Sequence, residues 1–265
     1  PVVPLTERNA GTSSRLPTVT APVTGPATDA ATPVANPAAT RPIERFAAPF
    51  EAPGDLPLMA IVLIDDDAAI GVEALADFPY PLTFAIDPTA PDAAEKMARH
   101  RAAGFEVLAL VNLTPTATPR DAEAALELGF STLDQAVGLI EGTDDGIQGN
   151  RPLSDQVTAI LRDKGYGLVT QNVGLNTVAN LARRDGVPAA PVFRDFDGAG
   201  QTPTVMRRFL DQAAFRAGQE GSVIMLGRVR PDTVSALLLW GLQDRAGRVA
   251  LAPVSAVLLE TPPAE

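Results

Sequence analysis

Met59-Ala60-Ile61-Val62-Leu63-Ile64, followed at once by Asp65-Asp66-Asp67, is the stretch that decides the fold. A short continuous apolar run of this kind, with no polar alternation, reads as a strand buried on both faces, as in a parallel sheet. The carboxylates then stand at its C-terminal end. Neighbouring side chains on an extended chain leave on opposite faces, so at most two of the three can reach one site.

Working outward, similar runs recur at Leu82–Ile86, Glu106–Val111, Gly167–Thr170, Ala190–Phe193, Ser222–Leu226 and Val249–Ala252. Between them lie helical patterns at Pro91–Ala103, Pro119–Leu128, Leu153–Lys164, Val173–Arg184, Pro203–Ala217 and Pro231–Arg245, several opening on Pro and closing on Gly. This βα alternation predicts a parallel α/β domain, either a barrel or a doubly wound sheet, with one core over residues 58–265. In such folds the chemistry gathers where strands end and helices begin. Those ends carry Asp65-Asp66-Asp67, Asp87, Asn112 to Pro115, Gln171-Asn172, Arg194-Asp195 and Gly227-Arg228-Val229-Arg230, a rim of carboxylates facing arginines.

Composition removes whole classes of function. With no Cys and one His among 265 residues, disulfides, thiolate zinc sites, cysteine nucleophiles and histidine-rich metal sites are excluded. A net charge of −11 gives no footprint for nucleic acid or an anionic membrane, and no run is long enough to span a bilayer. No nucleophile elbow, phosphate loop or dinucleotide fingerprint occurs. Asp195-Phe196-Asp197-Gly198 hints at a calcium loop but fails, because Met206 stands where the twelfth-position Glu should be. His100, inside a charged helix, reads as an exposed residue near a helix C-terminus. Trp240 reads as core.

Residues 1–57 hold 11 of the 25 prolines, without periodicity, and predict an extended tether reaching on the order of 170 Å in polyproline geometry. The competing expectation is that the segment docks on its own domain or wraps a protein partner. The chain opens on Pro1, so any signal peptide or membrane anchor is expected upstream of it.

The order and spacing of these features resemble the divergent polysaccharide deacetylases, relatives of the carbohydrate esterases. The likeness is carried by Ala60–Asp66, Leu82–Pro88, Ala103–Leu108 leading to Leu113-Thr114-Pro115, Leu153–Gly165, Gly227 with Arg228-Val229-Arg230-Pro231, and Ala252–Leu258. It implies that the Pro/Thr/Ala-rich tail read from composition precedes an irregular (β/α) barrel, and in active members a divalent metal held by Asp and His, an Asp base and a late His acid. A metal lowers the pKa of bound water and the acid protonates the leaving amine, so acetamide hydrolysis needs all of them.

Here the resemblance leaves Asp65 and Asp66 in place but not the histidines: Leu110, Gly146-Ile147-Gln148-Gly149-Asn150 and Gly227-Arg228-Val229-Arg230 stand where the family carries them. The expectation is therefore a pseudoenzyme without a cofactor, periplasmic, acting through glycan binding or as an assembly subunit with a protein partner along residues 1–57. Arg228, with Arg230 second, is expected to pair with Asp65 or Asp66 in place of the metal. The alternative is a metal-dependent deacetylase with an all-oxygen site on Asp65 and Asp66.

Overall fold

The computed structural model describes residues 36, 38–69, 75, 78–144, 146–243 and 246–261. A short helix, α1 (Pro42–Arg45), leads into eight strands: β1 (Leu58–Ile64), β2 (Thr83–Ile86), β3 (Glu106–Val111), β4 (Gly138–Glu141), β5 (Gly167–Thr170), β6 (Ala189–Asp195), β7 (Ser222–Arg228) and β8 (Ala250–Ala252). The helices between and after them are α2 (Ala93–Ala102), α3 (Pro119–Thr132), α4 (Arg151–Lys164), α5 (Thr177–Arg184), α6 (Pro203–Glu220), α7 (Pro231–Gly241) and α8 (Val254–Glu260). Local chemistry sets several boundaries. Thr118 and Asp121 form a reciprocal capping box at the start of α3, and the Asn150 side chain caps α4.

All pairings are parallel, and strands β1 to β7 neighbour one another in chain order until β1 closes the ring between β7 and β2. The expected barrel is thus the one that forms. Its irregularity lies at β1. Along one edge β1 pairs with β7 over its whole length; along the other, Leu58–Ala60 pair with β8 and Val62–Ile64 with β2. Strand β2 enters too late to cover the lower half of β1, and β8 fills the gap.

Alternation sorts β1 between two cores. Leu58, Ala60, Val62 and Ile64 join Leu108, Leu110, Val169, Ile224 and Leu226 inside the barrel, while Met59, Ile61 and Leu63 face outward beneath the helices.

The base of the barrel is sealed by the two ends of the domain. Ile43 is fully buried with Val254, Val257 and Leu258 of α8 in the interior cluster. Glu106, at the start of β3, accepts from Ala48 N (2.9 Å), Ser255 N (2.9 Å) and the Ser255 hydroxyl, and burial pushes its carboxyl up. Of the segment expected as a tether, Ile43, Phe46 and Ala48 therefore dock on the barrel, so the packed domain begins before residue 58. Residues 1–35 and 37 lie outside the described residues. Among the described residues no helix is long and apolar enough to cross a membrane.

Candidate functional site at the barrel mouth

The parity of β1 continues past its last ladder bond and separates the two carboxylates that the sequence places side by side. Asp65 keeps the outward direction of Met59, Ile61 and Leu63. It lies buried under α2, where Oδ2 accepts from His100 Nε2 (2.7 Å) and Arg99 Nη2 (3.0 Å), with Lys96 Nζ 3.6 Å from Oδ1. Lys96 also donates to the Asp65 carbonyl (3.1 Å). Burial acts to raise the Asp65 carboxyl, but the His100 bond and the neighbouring positive charges outweigh it and hold it below the usual range.

His100 stands where the sequence reading did not put it. It is 2% exposed and stacked on Phe84 at 3.6 Å between ring centroids. The reason is helical spacing: Ala93, Lys96, Met97 and His100 recur every three or four residues and form the face that α2 turns to the barrel. Desolvation holds the imidazole below its ordinary pKa despite the Asp65 acceptor. At neutral pH it donates to Asp65 as the uncharged ring, and Lys96 and Arg99 supply the compensating charge.

Asp66 turns the other way, into the mouth. Its oxygens accept a fork from Arg230, Nη1 to Oδ1 at 2.9 Å and Nη2 to Oδ2 at 2.7 Å, and Oδ1 also takes Ala68 N (2.9 Å). Partial burial acts to raise this carboxyl too; the Arg230 fork and the Ala68 amide overcome it and keep it ionised. An Arg–Asp pair forms at the first strand, but Arg230 makes it and Arg228 does not.

Arg228 is claimed by the end of β6. Its Nη1 donates to Asp195 Oδ1 (2.9 Å) and Asp197 Oδ1 (2.8 Å), while Asp197 Oδ2 accepts from Arg228 N and from Thr233 Oγ1, both at 2.7 Å. Burial alone would lower the guanidinium pKa, and these two carboxylates raise it above its ordinary value. A Cβ on Gly227 would lie 2.7 Å from the Phe196 ring and 3.2 Å from Asp197 Oδ2, so glycine lets β6 and β7 end this close together. The Asp195–Gly198 turn closes on itself, with Gly198 N donating to Asp195 Oδ1 at 2.8 Å. Beside these pairs opens a cleft of about 450 Å³ lined by Gln201, Met206, Arg228, Arg230 and Asp232.

Two further groups escaped the sequence reading. Asp195 stood there on the rim and, with Asp197, in a failed calcium loop, without a partner assigned to either, and the two are here the partners of Arg228. Strand β4 was missed, and with it Glu141, whose carboxylate accepts from Ile147 N, Gln148 N, Gln148 Nε2 and Gln171 N at 2.7–3.1 Å.

A divalent ion does not fit the residues present. Asp65 and Asp66 point to opposite faces of one strand, and each is already held by cationic side chains. Among the described residues no group of three His, Cys, Asp or Glu could hold a metal. The all-oxygen site on Asp65 and Asp66 is therefore not formed, because alternation gives the barrel mouth only the second of them.

What fold and rim define together is a closed seven-stranded parallel (β/α) barrel whose polar groups gather at the strand C-termini. Residues 62–258 match the profile of the divergent polysaccharide deacetylases, and the chain belongs to that family. It is similar to an uncharacterized protein of Haemophilus influenzae, 23% identical over 192 residues that cover 66% of this chain and 68% of that one. The crystal structure of an uncharacterized protein from Agrobacterium tumefaciens shares the fold at a TM-score of 0.67 and 18% identity, covering 85% of this chain and 98% of the other.

Proposed function

We propose that the protein is a non-catalytic member of its family, a periplasmic binding or assembly subunit whose barrel mouth holds a glycan without hydrolysing it. The observation that carries this reading is the Arg230 fork on Asp66. A guanidinium neutralises the carboxylate and fixes its geometry, but unlike a divalent ion it has no open coordination position for water and cannot generate hydroxide at neutral pH. Acetamide cleavage would also need a proton donor for the amine. The chain's one imidazole lies behind the barrel wall with Asp65, away from the mouth.

What the mouth offers is recognition. Asp66 with Arg230 and Asp195 and Asp197 with Arg228 present fixed donors and acceptors beside an open cleft, the polar equipment that orients hydroxyls and acetamides. The Pro-rich segment ahead of the docked residues would link this domain to a protein partner, and the glycan chemistry of the family supports a role in the envelope.

The test is a titration with the tetramer of N-acetylglucosamine, alongside an acetate-release assay in the presence of Zn²⁺, Co²⁺ or Mg²⁺. Saturable binding with no acetate released, and weaker binding by Arg230→Ala, is expected. Acetate release abolished by Asp66→Ala would overturn the reading, and so would absence of the protein from a periplasmic fraction.

A further inference from the structure

We propose a second binding site, remote from the mouth: the groove between α5 and α6 on the outer wall of β6, which takes an extended, carboxylate-bearing peptide segment of a partner protein. In a (β/α) barrel the outer face of each strand is ordinarily covered by a helix. Here α5 has only 8 residues, and α6 packs chiefly against α7 and β7. The outward-facing Pro191 and Phe193 of β6 are left half-buried. The resulting groove has a volume of about 520 Å³ and is lined by Asn172, Asn176, Asn180, Arg183, Phe193 and Arg216. Beyond Phe193 and Arg216 it runs on toward Phe215.

Three observations point to a ligand and to its chemistry. First, Asn176 Oδ1 and Arg183 Nε are shielded from solvent and have no hydrogen-bond partner among the described residues. One is an acceptor and the other a donor, the complement of the N–H and C=O that every peptide unit offers. Asn176 is also held at φ 52°, the one non-glycine residue with positive φ among the described residues. Second, the Asn180 carboxamide is turned inward, its Nδ2 donating to the Leu175 carbonyl and its Oδ1 accepting from Arg183, which fixes the Arg183 guanidinium in the groove lining. Third, the lips of the groove are apolar and uncovered: Leu175 is 87% exposed and Phe215 70%.

Main-chain bonds in the middle with apolar contacts at the edges is how an extended peptide is read, alternate side chains falling to either side. A glycan fits less well, since among the described residues the groove holds no Trp or Tyr platform. The charge follows from Arg183. It bonds Asn180 Oδ1 and makes no ion pair among the described residues, whereas Arg216 is matched by Glu220. A carboxylate on the incoming segment would complete it.

The test is to pan a phage-displayed library of random dodecapeptides on the purified chain and titrate a selected, fluorescently labelled peptide by anisotropy. Enriched sequences are expected to alternate apolar and polar residues and to carry an acidic one. Arg183→Glu should weaken binding at least tenfold, and Leu175→Ser, a surface change that leaves packing intact, severalfold. Leu128→Ser, an exposed apolar residue on α3, should leave it unchanged. No enrichment above a blank surface would overturn the proposal. Binding that survives both Arg183→Glu and Leu175→Ser would do the same. So would a titration in which the N-acetylglucosamine tetramer, and no peptide, shifts the amide resonances of residues 172–183.

Discussion

Asp65 and Asp66 are adjacent in the chain and live in different molecules' worth of chemistry. The first lies under α2 with the buried Lys96 and His100, and the half-exposed Arg99 reaches in from the rim; the second stands in the barrel mouth, 38% of its side chain exposed, with Arg230. Both carboxyls are held below their usual pKa, and in both burial is the opposing influence. The difference lies in solvent. On the wall, water cannot substitute for a lost partner, so the cluster bears on stability. In the mouth water can, so the pair is free to serve recognition.

The largest effect expected from this contrast is at Asp65. Asp65→Asn leaves Lys96 and His100 buried without their shared anion, and breaking a buried charge cluster from one side costs about 3 kcal/mol. Urea unfolding measures it. A loss below about 1 kcal/mol would mean that the wall cluster is as well hydrated as the mouth, and the contrast would fail.

Asp197 sits between the two cases, in the mouth by position but 3% exposed by side chain. Asp197→Ala removes bonds from Arg228 N, Arg228 Nη1 and Thr233 Oγ1 together. A loss of about 2 kcal/mol is expected, since buried donors are left unpaired while Asp195 still holds the guanidinium. If Asp197→Ala proved as mild as an exposed ion pair, the β6–β7 junction would be adaptable, not fixed.

Acid should act on the wall before the mouth. His100 is held below its ordinary value of 6.5, so an unfolded chain takes up that proton at a pH where the folded one does not. Stability is therefore present above pH 6.5 and is lost as pH falls through the folded value. The Asp66 carboxyl of the mouth, lowered from an ordinary 3.8, is untouched in that window. Unfolding midpoints at pH 7.5 and 5.5 should differ in the wild type. Part of that difference should vanish in His100→Gln, which keeps a donor without the titration. Glu106 works in the opposite sense. Its raised carboxyl favours the folded state at low pH and loses that advantage as pH rises through its folded value, so the two groups partly offset.

The sequence made the barrel legible through its apolar runs, and parity was readable at Asp65 and Asp66, yet the expected metal site used both of them. It hid β4, because Gly138 interrupts the apolar run Ala136–Ile140 and reads as a turn. In the fold that glycine is needed where two strands touch: a Cβ there would lie 2.5 Å from the Gly167 carbonyl. It hid the wall cluster as well. Outward parity at Asp65 and the spacing of Lys96 and His100 were both readable, yet joining them requires knowing that α2 packs over the end of β1, a contact spanning 35 residues. Arg228 and Arg230 have the same parity, so no local rule decides which reaches Asp66. The choice is made by Asp195 and Asp197, which take the nearer arginine from a neighbouring strand.

The smallest expected change in stability is at the pair that matters most to the proposed role. Asp66 and Arg230 are both partly open to water, so Asp66→Ala should cost less than about 1 kcal/mol, within reach of an ordinary surface ion pair. Binding should respond far more. A forked guanidinium without its carboxylate loses the fixed orientation it presents to the cleft, and Arg230→Lys replaces a planar fork with a single point charge. Both variants are therefore expected to unfold almost as the wild type does while weakening the tetramer of N-acetylglucosamine. If either instead unfolded as readily as Asp65→Asn with binding per folded molecule unchanged, the pair would be a structural clasp, and the two faces of β1 would differ in depth alone.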